Sequence, residues 1–432
     1  MKINGWGKYP IIESETIAPA TPQGIQHFFG NGFQGIARGL GRSYGDSSLA
    51  KQNLNLFAIN QIKDFNSQTG EIHCEAGATL EQILDYSVGR GWFLPVTPGT
   101  KFVTVGGAVA SDVHGKNHHK EGSFSDHIVF FHILLADGSI AKCSHTENQE
   151  LFRATCGGMG LTGVILDVAF RMKPIQSAYI EETIIKAQNL LEVLQLFEDY
   201  EDTTYSVAWI DCLATGKKLG RSLLMVGEHS EKGGLINPTR RRLAVPFEMP
   251  SFLLNGLSIS AFNFLYYHRI QKKKSKHHVH YEPFFYPLDG IHNWNRMYGR
   301  RGFTQYQFVV PKEAGKESMQ EILQRIARSK KGSFLAVLKA FGKGNANYLS
   351  FPMQGYTLAL DFKMERSLLP LLDELDRIVL QYGGRVYLTK DVRLKEETFK
   401  KSYPQWQTFT KIRQKYDPER KFRSMQSERL KL

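Results

Sequence analysis

The chain has 432 residues, with 55 Lys and Arg against 42 Asp and Glu, a formal charge of +13 and 42% hydrophobic residues. That length exceeds what one compact core usually holds and predicts two domains, and the charge asks for an anionic partner: a phosphate-bearing substrate, an anionic membrane surface or nucleic acid. Cys74, Cys143, Cys156 and Cys212 form no Cys-x-x-Cys pair, which argues against a disulfide framework or a thiolate metal site, and neither a signal peptide nor a membrane-spanning apolar stretch is present, so a cytoplasmic or peripheral location is expected.

A short apolar strand at 33–37 feeds the run Ala37-Arg38-Gly39-Leu40-Gly41-Arg42-Ser43-Tyr44-Gly45-Asp46-Ser47. Glycines without a Cβ let backbone N–H groups close on an anion, and the arginines and hydroxyls add charge and donors, so the loop reads as a phosphate cradle or, more plainly, as a turn. Thr79-Leu80-Glu81-Gln82 has capping-box spacing and starts a helix that runs through Val88 and stops at Gly89 and Gly91. Two further hydroxyl- and glycine-rich runs follow: Thr97-Pro98-Gly99-Thr100 with Thr104-Val105-Gly106-Gly107-Ala108, then Ser111-Asp112-Val113-His114-Gly115-Lys116-Asn117-His118-His119. Asp137-Gly138 joins strands at 128–136 and 139–143, and the glycine-dense loop 156–163 leads into a strand at 165–172. The region 1–176 is therefore expected to be an α+β module of short strands and glycine turns.

From 177 to 384 the texture changes to amphipathic helices at 189–200 and 317–328 and alternating strands at 205–213, 334–341 and 356–362, a second domain with an antiparallel sheet flanked by helices. A helix at 367–382 ends on Gly383-Gly384 before a strand at 385–388. Within 240–276 an apolar run, 252–267, lies between Arg240-Arg241-Arg242 and Arg269 with Lys272-Lys273-Lys274-Ser275-Lys276. It reads either as an interfacial element for anionic lipid or as a core helix with a solvated basic flank. No helix-turn-helix, zinc finger or RNA-recognition signature organises the basic residues, so nucleic acid is not expected.

The glycine loops could grip a pyrophosphate, yet no P-loop is present and no strand–GxGxxG–helix unit places an acidic residue downstream, which argues against P-loop and Rossmann binding. His114, His118 and His119 lack a supporting carboxylate or thiol pattern, and no metal site is expected.

These runs, with Gln305-Tyr306-Gln307, Leu338-Lys339-Ala340-Phe341-Gly342 and Thr389-Lys390-Asp391, resemble in order the decaprenylphosphoryl-β-D-ribose 2-oxidase family of vanillyl-alcohol-oxidase-type flavoproteins. The resemblance implies a two-domain α+β flavoprotein: an FAD-binding part at 1–176, a substrate domain at 177–384, and a segment at 385–432 that returns to the FAD domain. It implies that the run Ala37 to Ser47, together with Gly99, Thr104, Val105, Gly106, Gly107, Ser111, Asp112, Val113 and His114, holds the FAD pyrophosphate and flanks its ring, with Ile165 and Tyr387 completing the pocket. Relatives that attach FAD covalently often carry a His in the first loop; here the loop reads Tyr44-Gly45-Asp46, so non-covalent FAD is expected.

By the same resemblance Lys390 and Tyr44 are catalytic, and Lys116, Gln305, Gln307, Lys339, Asp361 and His114 bind substrate. A fixed lysine there would stabilise negative charge that develops on oxygen as hydride leaves the sugar. Well-known members carry a cysteine where this chain has Ala359, so adduct formation with a thiol is lost while oxidation survives. The implied substrate is a lipid-linked phosphopentose oxidised at its 2-hydroxyl, the first half of an epimerisation to the arabinose donor for cell-wall polysaccharide. An NAD(P)H-dependent keto-sugar reductase and the inner face of the plasma membrane are the implied partners. Oxidation of a soluble sugar, alditol or aldonolactone, and a non-catalytic lipid- or nucleic-acid-binding protein, remain the alternatives.

Overall fold

The computed structural model describes residues 1–29, 32–236 and 243–432, so the Arg240-Arg241-Arg242 cluster lies outside the described residues. The architecture is α+β. In the N-terminal part the strand Gly35–Arg38 runs parallel to Gln52–Asn55, which also pairs with Glu15–Ile17. Beside this small sheet stands a five-stranded antiparallel one, in the order Ile140–Cys143, Ile128–Leu134, Val164–Arg171, Glu71–Glu75, Ile62–Asn66. The Asp137-Gly138 hairpin forms where expected, with Gly138 at φ +86. The Thr79 capping box also forms and starts the helix Leu80–Ser87; a 3-10 turn, Val88–Arg90, follows and ends at Gly91 with φ +81. All four cysteines are free and buried.

The second part is built on an eight-stranded antiparallel sheet, in the order Lys274–His280, Tyr179–Ala187, Ser222–His229, Tyr205–Ile210, Ala336–Phe341, Gly355–Lys363, Phe303–Pro311, Arg385–Val386. Alternation assigns its two faces opposite duties. Tyr306, Phe308, Val310, Leu338, Leu358, Leu360 and Phe362 point to one side, where they are buried against the helices Leu190–Asp199, Gly315–Ser329 and Leu368–Gln381. Each such side chain contributes roughly 1.5–3 kcal/mol of burial, enough to pin the register of the strand that carries it. The intervening residues, Gln305, Gln307, Thr357, Ala359, Val337 and Lys339 among them, face the other way and line a cavity.

Several strands escaped the sequence reading for a physical reason. Tyr179–Ala187 carries Glu181 and Glu182, and Lys274–His280, with sequence KSKHHVH, is a charged edge strand; neither shows an apolar run. The apolar segment 252–267 becomes the helix Gly256–His268, capped by Asn255. It rests on the sheet through Ile259, Asn263 and Tyr267, while Leu257, Phe264 and Leu265 are 85%, 53% and 68% exposed, so it is not a core helix.

After Arg385–Val386, still paired with the strand Phe303–Pro311, the chain crosses back to the N-terminal part. There Gly35 donates to the Lys421 carbonyl and accepts from the Arg423 amide, and Met425 donates to the Leu49 carbonyl. The Arg429 guanidinium closes this return: its Nη2 donates to Asp46 Oδ1 and to Asp391 Oδ2, both at 2.8 Å. Both carboxylates are buried, so Arg429→Met strands them without a counter-charge. The variant is expected to lose about 3–5 kcal/mol in urea unfolding, and Arg429→Lys to recover only part of that, because an ammonium lacks the planar fork that spans two carboxylates.

Candidate active site

A cavity of about 850 Å³ runs between the glycine loops of the N-terminal part and the open face of the large sheet. At one end the loop after Gly35–Arg38 meets the short helix Val105–Ala110, whose N-cap Thr104 accepts from the Gly107 amide. The approach is close enough to demand glycine: a Cβ on Gly39 would lie 2.2 Å from Thr104 Oγ1, and Gly41 sits at φ +63. Among the described residues none accepts a hydrogen bond from the amides of Gly39, Leu40, Gly41, Arg42 or Ser43. A row of unpaired amides along a cavity wall, with no side chain crowding it, fits an anionic group such as the pyrophosphate of FAD.

Deeper in the cavity several of the residues expected to flank the flavin ring converge. Gln307 Nε2 donates to His114 Nε2 at 3.0 Å, which leaves the His114 proton on Nδ1; that atom is buried without a partner among the described residues. Burial, with Lys339, His118 and Lys390 nearby, holds His114 well below the usual imidazole range and keeps it neutral. Its ring packs between Phe341 and Tyr387, with centroids 4.8 and 5.2 Å away. A neutral N–H donor beside an aromatic wall suits the polar edge of a flavin ring.

Lys390 closes a 3-10 turn, Leu388–Lys390, and its Nζ lies 4.0 Å from the centroid of the Tyr44 ring. Tyr44 is brought there by its own amide, which donates to the Thr389 carbonyl at 3.2 Å, and its ring meets Phe303 edge-on at 5.2 Å. Burial lowers Lys390 to about 7, with Asp361 opposing and Lys339 reinforcing the shift, and burial lowers Lys339 to about 8. Lys116 falls to about 7 through burial and Lys339, while donating to the Phe284 carbonyl from above that ring. Burial raises Asp361 to about 7 against the pull of Gln305 and Lys390. The site thus gathers three lysines poised near neutrality, able to attract an anion and to exchange a proton.

The cavity wall includes Ala37, Arg38, Gly39, Leu40, Gly41, Arg42, Ser43, Tyr44, Ser47, Gly99, Thr104, Gly106, Gly107, Ser111, Val113, His114, Ile165 and Tyr387, along with Lys116, Gln305, Gln307, Lys339 and Lys390. Five expected residues stand behind it instead. Gly45 is pressed against the Asp391 carbonyl and Val105 is buried in the apolar core. Asp46 is spent on Arg429, and Asp112 Oδ2 on Asn345, Asn347 and Ser350, so both carboxylates fix the loops from behind rather than line the cavity. Asp361 lies behind Gln305, whose Nε2 donates to it at 2.6 Å. Arg38 lines the cavity but commits its guanidinium to the Asn4 and Ser48 carbonyls rather than to a phosphate.

The sequence reading missed Glu182, Trp209, Tyr266, Arg269 and Asp289, all of which line the cavity. Asp289 accepts from Thr100 Oγ1 and from the Lys101 amide, tying a glycine-rich loop to the second domain. Only the alternation read in 205–213 hinted at one of them, Trp209, and no local motif marks the rest.

A sequence model described as an FAD binding domain matches residues 26–144, and one described as D-arabinono-1,4-lactone oxidase matches 295–430. The chain is 36% identical to decaprenylphosphoryl-beta-D-ribose oxidase of Mycolicibacterium smegmatis over 100% of its own length and 97% of that protein's. It is 24% identical to L-gulonolactone oxidase of Bos taurus over 83% of this chain and 81% of the relative, and 21% identical to L-gulono-1,4-lactone dehydrogenase of Mycobacterium tuberculosis over 85% and 83%.

Lys339 is a half-buried cation on the cavity wall without a hydrogen-bond partner among the described residues, so Lys339→Met is expected to stabilise the fold by about 1 kcal/mol at pH 7. Between pH 8 and 10.5 the unfolded lysine binds more protons than the folded one, so wild-type stability rises and the difference closes. Urea titrations of both proteins across that window check the sign.

Proposed function

The chain belongs to the decaprenylphosphoryl-beta-D-ribose oxidase family and is an FAD-dependent oxidoreductase acting on a hydroxyl group; from that premise we propose that it oxidises the 2-hydroxyl of a polyprenyl-phosphoryl-β-D-ribose to the 2-keto sugar. The observation that carries this reading is the convergence of Lys116, Lys339 and Lys390 in one cavity with Tyr44 and the neutral His114. A cavity so rich in cations suits a substrate that brings a phosphate. FAD, when bound along the glycine loops, supplies the acceptor for the hydride leaving the sugar carbon.

The protein's own residues do the rest. Lys390 and Tyr44 orient the reacting hydroxyl, and Lys390 in its neutral form takes the hydroxyl proton, a transfer matched to its value of about 7. The resulting ammonium then faces the oxygen as negative charge develops there. Gln305 holds the sugar edge, and Asp361, opposite it on the adjoining strand, accepts from its Nε2 and fixes its amide from behind. The 2-keto product calls for a reductase using NAD(P)H to complete inversion at that carbon.

The lipid tail gives the exposed helix Gly256–His268 a purpose. Phe252, Leu257, Phe264 and Leu265 face outward, and exposed lysines at 272–274 and 276 follow in the chain, Lys273 turned to Glu192 and Lys274 to Tyr200; the apolar surface suits insertion into a bilayer. The matches to lactone oxidases favour a second reading, oxidation of a soluble aldonolactone with the same cofactor.

Anaerobic mixing with polyprenyl-phosphoryl ribose is expected to bleach the visible flavin absorbance, whereas free ribose and L-gulonolactone leave it intact; the reverse pattern would install the lactone reading. Lys390→Met is expected to slow that bleaching by about 10²-fold or more while bound flavin per chain stays unchanged. Replacing Phe252, Leu257, Phe264 and Leu265 together by Ser should abolish flotation with phosphatidylglycerol liposomes and spare oxidation of a short-chain substrate.

A further inference from the structure

A second cluster of chemistry-bearing side chains lies outside the cavity, on the face of the five-stranded sheet opposite its apolar side. Three neighbouring strands, Glu71–Glu75, Ile128–Leu134 and Val164–Arg171, bring His73, His132 and Asp167 together. His73 Nε2 lies 3.0 Å and His132 Nδ1 2.7 Å from the same oxygen, Asp167 Oδ1. The three atoms all lie within 4.8 Å of one another. Lys63 Nζ donates to the other carboxylate oxygen at 2.7 Å.

Two backbone features build the arrangement. In strand Val164–Arg171, Ile165 faces the core, and strict alternation would turn Asp167 the same way; a register shift between Ile165 and Asp167 rotates Asp167 to the outer face, opposite His132. One step along, Ala169 pairs with His73, and its small side chain leaves room for both rings. The histidine side chains keep 24% and 32% of their surface exposed, so the donors are reachable from solvent while the ladder fixes their spacing.

We propose that His73, His132 and Asp167 form a binding site for a divalent first-row transition metal of the zinc type. Two imidazole nitrogens and one carboxylate oxygen are a zinc-like donor set, and a water from the open side completes four ligands; calcium and magnesium would ask for more oxygens. Lys63 holds the Asp167 carboxylate when no cation is present and withdraws on its flexible, 34% exposed stem when one arrives. A bound ion cross-links three strands, one of which carries the cavity residue Ile165. The ligands stand far apart in the chain, so no spacing motif reveals them, unlike the adjacent His114, His118 and His119.

Tag-free holoenzyme, stripped with a chelator and dialysed against micromolar ZnCl2, is expected to retain a single zinc per chain and to unfold at a higher temperature than the stripped protein. His73→Gln and His132→Gln are each expected to weaken zinc retention by about tenfold or more, without changing bound flavin or the melting of stripped protein. Lys63→Ala keeps every ligand and removes the competing ammonium, so it should bind zinc more tightly than wild type. Wild-type protein that retains no zinc, or histidine variants that retain as much as wild type, would overturn the assignment.

Discussion

The Arg429 guanidinium between Asp46 and Asp391 is the contact on which the rest of the site depends. It joins three segments that no local sequence signal relates: the glycine loop, the turn that carries Lys390, and the last helix, Met425–Leu430. Asp391 also caps the amides of Arg393 and Leu394. Arg393 in turn pairs with Asp376, and Asp376 accepts from the Tyr306 hydroxyl on the strand that presents Gln305 and Gln307. A line of buried polar contacts therefore runs from the phosphate-type loop to the floor of the sheet. Such networks tolerate little rearrangement, since each member left alone is a desolvated charge or hydroxyl, and that intolerance is what positions Lys390.

The large sheet divides stabilisation from chemistry by parity alone. Residues turned to the helices are apolar and closely packed; residues turned to the cavity include Lys339, Gln305 and Gln307. Nothing in the fold requires a lysine at 339, and removing its ammonium from water works against stability. That cost is offset by the opposite face, where Phe308, Leu358 and Leu360 are fully buried.

Much of this was legible in the sequence where the signal was local. The Thr79 capping box, the Asp137-Gly138 hairpin, the helix ended by Gly383 and the glycine loop all depend on neighbours a few residues apart, and all form. The residues gathered by the resemblance mostly reach the cavity. The exceptions are instructive: Asp46 and Asp112 sit inside motif runs that suggest cofactor contacts, yet a buried carboxylate needs donors of its own, and Arg429, Asn345, Asn347 and Ser350 supply them from distant segments. Glu182, Trp209 and Asp289 were illegible for the same reason in reverse. Their importance comes from a sheet face and a loop crossing, neither of which leaves a spacing in the chain.

The helix Gly256–His268 has one more implication. Its outer surface is apolar, whereas its end supplies Tyr266 and, just beyond, Arg269 and Ile270 to the cavity mouth. One element thus borders both the exterior and the interior, and on the proposed reading a lipid-linked substrate delivered along it would never have to become a freely dissolved molecule. For such an enzyme the governing concentration is a number per area of lipid rather than per volume of water. Saturation would then follow the mole fraction of substrate in the bilayer, and diluting it with inert lipid would slow turnover even at constant total amount.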